Sequence, residues 1–343
     1  MKRVLIFTDN HFCSNSSIIR QRGKVFSKRL ENQIETLNWV EDLAIKEKCD
    51  GVICLGDFFD KSVLNDEELT ALKSIEWNLL PHYFIVGNHE SSVNGLIYNS
   101  TKALESSNHF IIDSSSTIID NDVEICFLPY IIESDRKSIN DYFPHQDNVK
   151  KRVIFSHNDV KGLQMGPIVS KEGFDINDIE QNCDLFFNGH LHNGTHFSNK
   201  CYNLGNVTGQ NFGEDATKYS HNVAILDLDT LQTQFIENPH AFNFYKFEIH
   251  KEEDFNQLLS LKNNAVVSIK CDEKLMNKCD EFIKHFKGVD YRLITSKDEN
   301  ITTSELDIKD LTIDHLSKFV EFCKERINND EILEKELNEV CKQ

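Results

Sequence analysis

The sequence predicts an α/β fold, and three observations carry that prediction. From the first residues to about residue 240, strand-like apolar runs alternate with helical ones, the pattern of layered α/β proteins. Five short motifs rich in Asp, Asn and His follow, for the most part, such runs, where open α/β sheets hold their ligands. After Pro239-His240 a second, smaller alternation begins.

The elements can be taken in order. Strands are predicted at 3–8, 51–55, 83–86, 123–128, 152–156, 184–188, 201–204 and 223–228 from their short apolar, β-branched or aromatic runs. Asn32 to Lys48 is predicted helical, since Ile34, Leu37, Val40, Leu43 and Ala44 recur with a period near 3.6. Asp66 to Leu80 and Gly95 to Ser106 also read as helices. Past residue 240 come a strand (Phe244 to Ile249), a helix (Glu252 to Ser260), a strand (Ala265 to Lys270), a helix (Glu273 to Phe286) and a strand (Tyr291 to Thr295). Residues 296–305 are polar and read as a linker. Beyond them Leu316, Phe319, Val320, Cys323 and Ile327 form the apolar stripe of an amphipathic helix. Asn328 to Glu331 then breaks and recaps the chain for a second helix. The expected units are 1–240, 241–296, and 297–343 as linker and terminal helices.

A chain of 343 residues can bury a large core and has room for two domains. Its apolar runs are far too short to span a bilayer, and from the strand-like start at Arg3 no signal peptide is expected. The 10 cysteines are scattered without metal-knuckle spacing, as expected of reduced thiols in a cytoplasmic protein, or one in a host cytoplasm if the source is viral. The net charge of −19 argues against nucleic-acid binding over the whole surface. A local exception is expected. No acidic residue falls between Asp9 and Glu31, while Arg20, Arg22, Lys24, Lys28 and Arg29 all do. Residues 298–343 hold 13 acidic against 6 basic side chains, −7 of the total.

The five motifs are Asp9-Asn10-His11, Gly56-Asp57-Phe58-Phe59-Asp60, Gly87-Asn88-His89-Glu90, Ser156-His157-Asn158 and Gly189-His190-Leu191-His192. Each alone has a plainer reading: a capped turn for the first, a strand-end turn for the second, a left-handed turn for Gly87-Asn88, a structural histidine for His157. Together they supply hard carboxylates and borderline imidazoles from several strand ends, the donor set of a dinuclear divalent-metal site. A carboxylate that bridges two ions sets their spacing, and Asp57 is placed to supply it. Of the remaining histidines, His196 and His221 are the two expected near such a site.

The order D-x-H, G-D-x-x-D, G-N-H-E, H and G-H-x-H resembles the calcineurin-like metallophosphoesterase superfamily over about residues 3–205. That resemblance implies a layered αββα metallophosphoesterase sandwich. It also implies two divalent ions, Mn²⁺ first with Mg²⁺ as the alternative. Asp9, His11 and His192 would hold one ion, Asn88, His157 and His190 the other, and Asp57 both. Asn88 and His89 would contact the phosphate, with His89 the proton donor, tuned by Glu90, and Asp60 in support.

The whole plan is similar to the SbcD/Mre-type DNA nuclease subunits: a phosphoesterase domain, a small α/β capping domain, then C-terminal helices. This likeness implies a DNA exo- or endonuclease of recombination, repair and replication. It further implies a homodimer built on the regions Leu69 to Leu79 and Leu96 to Leu104, and an SbcC-type ABC ATPase bound by the terminal helices. DNA would run over Arg20 to Arg29. The Pro-rich segment usual after the second motif is replaced by Lys61-Ser62-Val63-Leu64-Asn65. Two other readings stay open: a stand-alone phosphodiesterase on nucleotides or small molecules, and a scaffold that keeps the fold without catalysis.

Overall fold

The computed structural model describes residues 1–295 except 17, 20, 93, 94, 147, 166, 167, 287 and 288. The stripe Leu316, Phe319, Val320, Cys323 and Ile327, the linker before it, and Arg20 lie outside the described residues.

Two six-stranded sheets stack face to face. In the first, Arg3–Phe7, Gly51–Cys54, His82–Ile85 and His109–Ile112 run parallel, and Asn222–Asp227 and Thr233–Glu237 close one edge antiparallel. In the second, Val123–Leu128, Lys151–Ser156, Leu185–Asn188 and Cys201–Asn203 run parallel, with Ser116–Asp120 and Thr195–Ser198 antiparallel at the two edges. Strands covered on both faces read as unbroken apolar runs, and Val123–Leu128 and Leu185–Asn188 are buried at every position.

Three apolar layers follow. Val4, Ile6, Ile53, Phe127, Phe155 and Phe187 pack between the sheets. Leu5, Phe7, Val52 and Phe84, from the other face of the first sheet, pack against the helix Lys28–Lys46 through Leu30, Leu37, Val40 and Ala44. Cys126, Ile154 and Phe186 pack against Ile139 and Ile179 of the short helices Ile139–Tyr142 and Ile176–Asn182. This is the αββα layering expected. All eight cysteines of the described residues are free and buried.

The strands Asn243–Ile249, Ala265–Cys271 and Asp290–Thr295 form a separate three-stranded parallel sheet. Its own core holds Tyr245, Phe247, Val267 and Ile269 with Leu258, Cys279 and Ile283 from the connections. Asp290 at its near end accepts from Lys28 (2.6 Å) and Gln21 (2.9 Å).

Two expected helices differ. Asp66–Leu72 is a single short α-helix rather than one reaching Leu80. Asn38 and Glu41 of the neighbouring helix accept the backbone N–H groups of Glu76 and Asn78, so side chains take the bonds a helix would need. Residues 95–106 form a strand, Gly95–Asn99, paired with Ser91–Ser92, then the 3₁₀ turn Ser100–Leu104 capped by Asn99. Five residues with Tyr and β-branched Ile suit a hairpin arm better than a helix.

Candidate metal centre

All five motifs sit just past the C-terminal ends of parallel strands. Arg3–Phe7, Gly51–Cys54 and His82–Ile85 are neighbours in the first sheet, Lys151–Ser156 and Leu185–Asn188 in the second. Their loops therefore emerge along one rim. The second motif is anchored from below. Phe58 and Phe59 are fully buried, and Phe58 packs on Phe7, Phe12, Trp77 and Phe84. The backbone then carries Asp57 upward, with His11 N–H donating to the Asp57 carbonyl at 2.9 Å.

The rim is strained. Asp9 (φ 51°), His11 (47°), Asp57 (47°) and His190 (77°) all occupy the left-handed region. Each such residue costs of the order of 1–3 kcal/mol, and such strain clusters at functional sites. Crowding explains the motif glycines. A Cβ at Gly87 would lie 2.1 Å from Asp57 Oδ1, and one at Gly56 would lie 2.4 Å from the His157 ring.

Two clusters of ligating atoms result, Asp9/His11/His192 and Asp57/His157/His190. Asp57 Oδ2 faces both, 3.8 Å from His11 Nε2 and 3.1 Å from His157 Nε2. Asn88 Oδ1 joins the second at 3.1 Å from His157 Nε2 and 2.9 Å from His190 Nδ1. His89 is more exposed, its ring edge-on to His11 at 4.6 Å, and it falls in a third grouping with His11 and Asp57.

Each of four imidazoles has one nitrogen on a protein oxygen and the other turned into the cluster. His11 Nδ1 meets Asp60 (3.0 Å), His192 Nδ1 meets Glu214 (2.8 Å), His157 Nδ1 meets the Leu55 carbonyl (3.0 Å) and His190 Nε2 meets Asp159 (3.1 Å). Carboxylate and carbonyl oxygens only accept, so a proton on each backed nitrogen satisfies them and leaves the cluster-facing nitrogen to offer a lone pair to a cation. A cation there would also relieve the approach of Asn88 Oδ1 to His157 Nε2 and His190 Nδ1. His11 Nε2 and His192 Nε2 stand 3.1 Å apart. With both rings neutral, two lone pairs would face each other. Positive charge belongs between them. The buried Asp9 Oδ1 has no hydrogen-bond partner, while its Oδ2 accepts from Thr8 and from His190 N–H. Burial alone would push His11 down, but Asp60, Asp9 and Asp57 outweigh it and raise it to about 10. The donor set fits divalent cations.

Glu90 is fully buried, and its two oxygens accept from Phe59 N–H (3.1 Å) and Gly87 N–H (2.7 Å). It ties the second motif to the third. Asp159 and Glu214 are additions the sequence did not flag. Asp159 stands two residues after His157, which is a signal in hindsight; Glu214 comes from a loop without one. His221 is buried near Glu214, whose charge acts on it, whereas His196 packs on Tyr202 and Phe235 away from the metal-ligand clusters. A cavity of about 240 Å³ opens beside His190 and His192, walled by Gln164, Asn193 and Asn211.

Among the described residues of the basic run, Arg22, Lys24, Lys28 and Arg29 have different surroundings. Arg22 pairs with Glu67 (2.7 Å) and Lys28 with Asp290. Arg29 is buried, donating to Gln210 and towards the His11 carbonyl. Lys24 is exposed.

Residues 2–194 match the profile of the calcineurin-like phosphoesterases. The chain belongs to that family. It is thus a metallophosphoesterase, and its family works with two divalent metals. Among solved structures it is similar to an archaeal phosphodiesterase (14% identity, 68% of this chain and 99% of that one, TM-score 0.35). It is also similar to a dimetal phosphatase from Danio rerio (14%, 69% and 99%, TM-score 0.41) and to a protein of Thermus thermophilus (8%, 69% and 98%, TM-score 0.39). No curated protein matches. Among the described residues, no helix of this metallophosphoesterase is long and apolar enough to cross a membrane.

Proposed function

We propose that this metallophosphoesterase is a DNA nuclease that hydrolyses phosphodiesters at a dinuclear centre of Mn²⁺, with Mg²⁺ as the alternative. The observation that supports hydrolysis is the convergence of four backed imidazoles with Asp9, Asp57 and Asn88 on one rim. Asp9, His11 and His192 would hold one ion, Asn88, His157 and His190 the other, and Asp57 both. When bound, such ions lower the pKa of water and polarise the phosphate. Asn88 and His89 are at hand to orient the phosphate oxygens. His89 Nδ1–H donates to the Asp60 carbonyl at 3.0 Å, which leaves Nε2 as the atom that would give a proton to the leaving oxygen from the doubly protonated ring.

DNA as substrate is favoured by the extra α/β unit at 243–295, which stand-alone phosphodiesterases of this superfamily usually lack, and which is seated against Gln21 and Lys28. On this reading that unit caps the site, the chain works as a homodimer, and residues 297–343 bind an SbcC-type ABC ATPase. A second reading, a phosphodiesterase on nucleotides or small molecules, is favoured by the pairing of Arg22 and Lys28 with carboxylates, which offsets two of the charges in that run that a long polyanion would meet. Metal-stripped protein reloaded with Mn²⁺ and offered linear duplex DNA, single strands and bis-p-nitrophenyl phosphate separates the two. Cleavage of the small ester without any DNA cleavage, with or without the ATPase, would retire the nuclease reading. Deleting 306–343 should leave the Mn²⁺-dependent DNA cleavage and abolish co-purification with the ATPase; retained co-purification would remove the docking role.

A further inference from the structure

Glu214 is 3% exposed, and its carboxylate is held between its own loop and His192. Its Oε2 accepts from Gln210 N–H at 2.7 Å, and its Oε1 accepts from the Asn211 amide at 3.2 Å and from His192 Nδ1 at 2.8 Å. The carboxylate is thus held by its own loop and presented to one imidazole. Burying a carboxylate is costly unless it is paired, and here the pairing is spent on the far side of a ring whose Nε2 points at His11. Asp159 does the same for His190. It meets Nε2 at 3.1 Å, its other oxygen lies 3.8 Å from Arg136, and His190 Nδ1 is left on the Asn88 side.

Resting on the dinuclear reading above, we propose that Glu214 and Asp159 are positioning residues that act on opposite halves of the centre. Glu214 sets the tautomer and tilt of His192 and governs binding of one ion. Asp159 does so for His190 and the other ion. Neither carboxylate belongs to the two clusters of ligating atoms. Both act through an imidazole whose ligating nitrogen they fix as Nε2 for His192 and Nδ1 for His190. Partners of this kind typically contribute about 10–100-fold to metal affinity.

The test is Mn²⁺ binding to the full-length, chelator-stripped chain, followed by the electron paramagnetic resonance of free Mn²⁺. Glu214→Gln should weaken one of two binding steps by about 10–100-fold and spare the other, and Asp159→Asn should do the reverse. In a double-mutant cycle, Glu214→Gln should cost nothing further in a His192→Ala background, yet keep its full cost in His190→Ala. An equal cost in both backgrounds, or both steps within threefold of wild type, overturns the proposal. A structural role alone would instead lower the urea midpoint of the stripped protein without splitting the two steps. Should Glu214→Gln not fold, the wild-type chain loaded with diamagnetic Zn²⁺ decides by nitrogen-15 shifts. His192 protonated at Nδ1 supports the assignment, and His192 protonated at Nε2 overturns it. Wild-type protein that takes up fewer than two ions would overturn the dinuclear reading itself, a separate result from a silent Glu214→Gln.

Discussion

His89 hangs from Asp60: its Nδ1 lies 3.0 Å from the Asp60 backbone carbonyl, while the Asp60 carboxylate supports His11. One residue thus orients both the imidazole read as a proton donor and an imidazole read as a ligand. Because His89 is the more exposed of the two, replacing it should disturb chemistry before it disturbs metal. His89→Ser should keep two Mn²⁺ per chain and lower kcat by ~10²–10⁴-fold, the usual worth of general acid–base help. His190→Ala should weaken Mn²⁺ binding instead. Steady-state rates beside metal-binding isotherms check both, and a His89→Ser chain that lost an ion while keeping its rate would make His89 a ligand.

Gly87 offers a test that touches no ligand. Its missing Cβ is the space Asp57 Oδ1 occupies, and its N–H is held by Glu90. Gly87→Ala would force the shared carboxylate aside. The expected outcome is loss of both binding steps, since Asp57 faces both clusters. Unfolding of the stripped protein should change far less. Normal uptake of two ions by Gly87→Ala would mean that Asp57 is not shared.

Phe58 joins the centre to the core. It is fully buried among Phe7, Phe12, Phe59, Trp77 and Phe84. Phe58→Ala should destabilise the chain by about 3–5 kcal/mol, the usual range for a large aromatic removed from a packed core. Metal affinity should fall with it, because His11, Phe12 and Asp57 share this anchorage. Urea unfolding with and without chelator measures both effects; a loss below about 1 kcal/mol would show that the site collapses around the gap.

The candidate donor clusters are legible in the sequence because each motif follows a buried strand and its residue types are donors of the kind a metal takes. The motif glycines were legible as turns, but not as space for Asp57 and His157, which only the folded packing shows. The edge strands Ser116–Asp120, Thr195–Ser198 and Thr233–Glu237 are not legible because every position in them is half-buried or exposed and their composition is mixed. The run 95–106 misled because Leu96 and Leu104 suggest helical spacing over a length a hairpin also fits. Asp159 and Glu214 serve histidines 31 and 22 residues away, and a pairing made by tertiary proximity leaves no periodic trace. Arg29 shows the converse: its charge suggested a surface role, yet it is buried behind His11, bonded to Cys13 and Gln210.

His109 predicts how stability responds to pH. It is buried beside Trp77 and His82, its Nδ1 meets the Leu104 carbonyl at 3.0 Å, and its Nε2 has no hydrogen-bond partner. Burial, then the nearby His82, holds its pKa below the ordinary imidazole value, with Glu41 opposing. The unfolded chain therefore takes up the proton near pH 6.5 while the folded chain still refuses it. Where the unfolded state binds more protons, stability falls as pH falls. His109 thus contributes stability that is fully present above about pH 6.5 and declines below it, towards the lower folded value. His109→Gln, which cannot charge, should flatten the decline in urea midpoint between pH 6.5 and 5 relative to wild type, whatever it costs at pH 8. An unchanged slope would mean that other groups, and not this buried imidazole, carry the acid sensitivity.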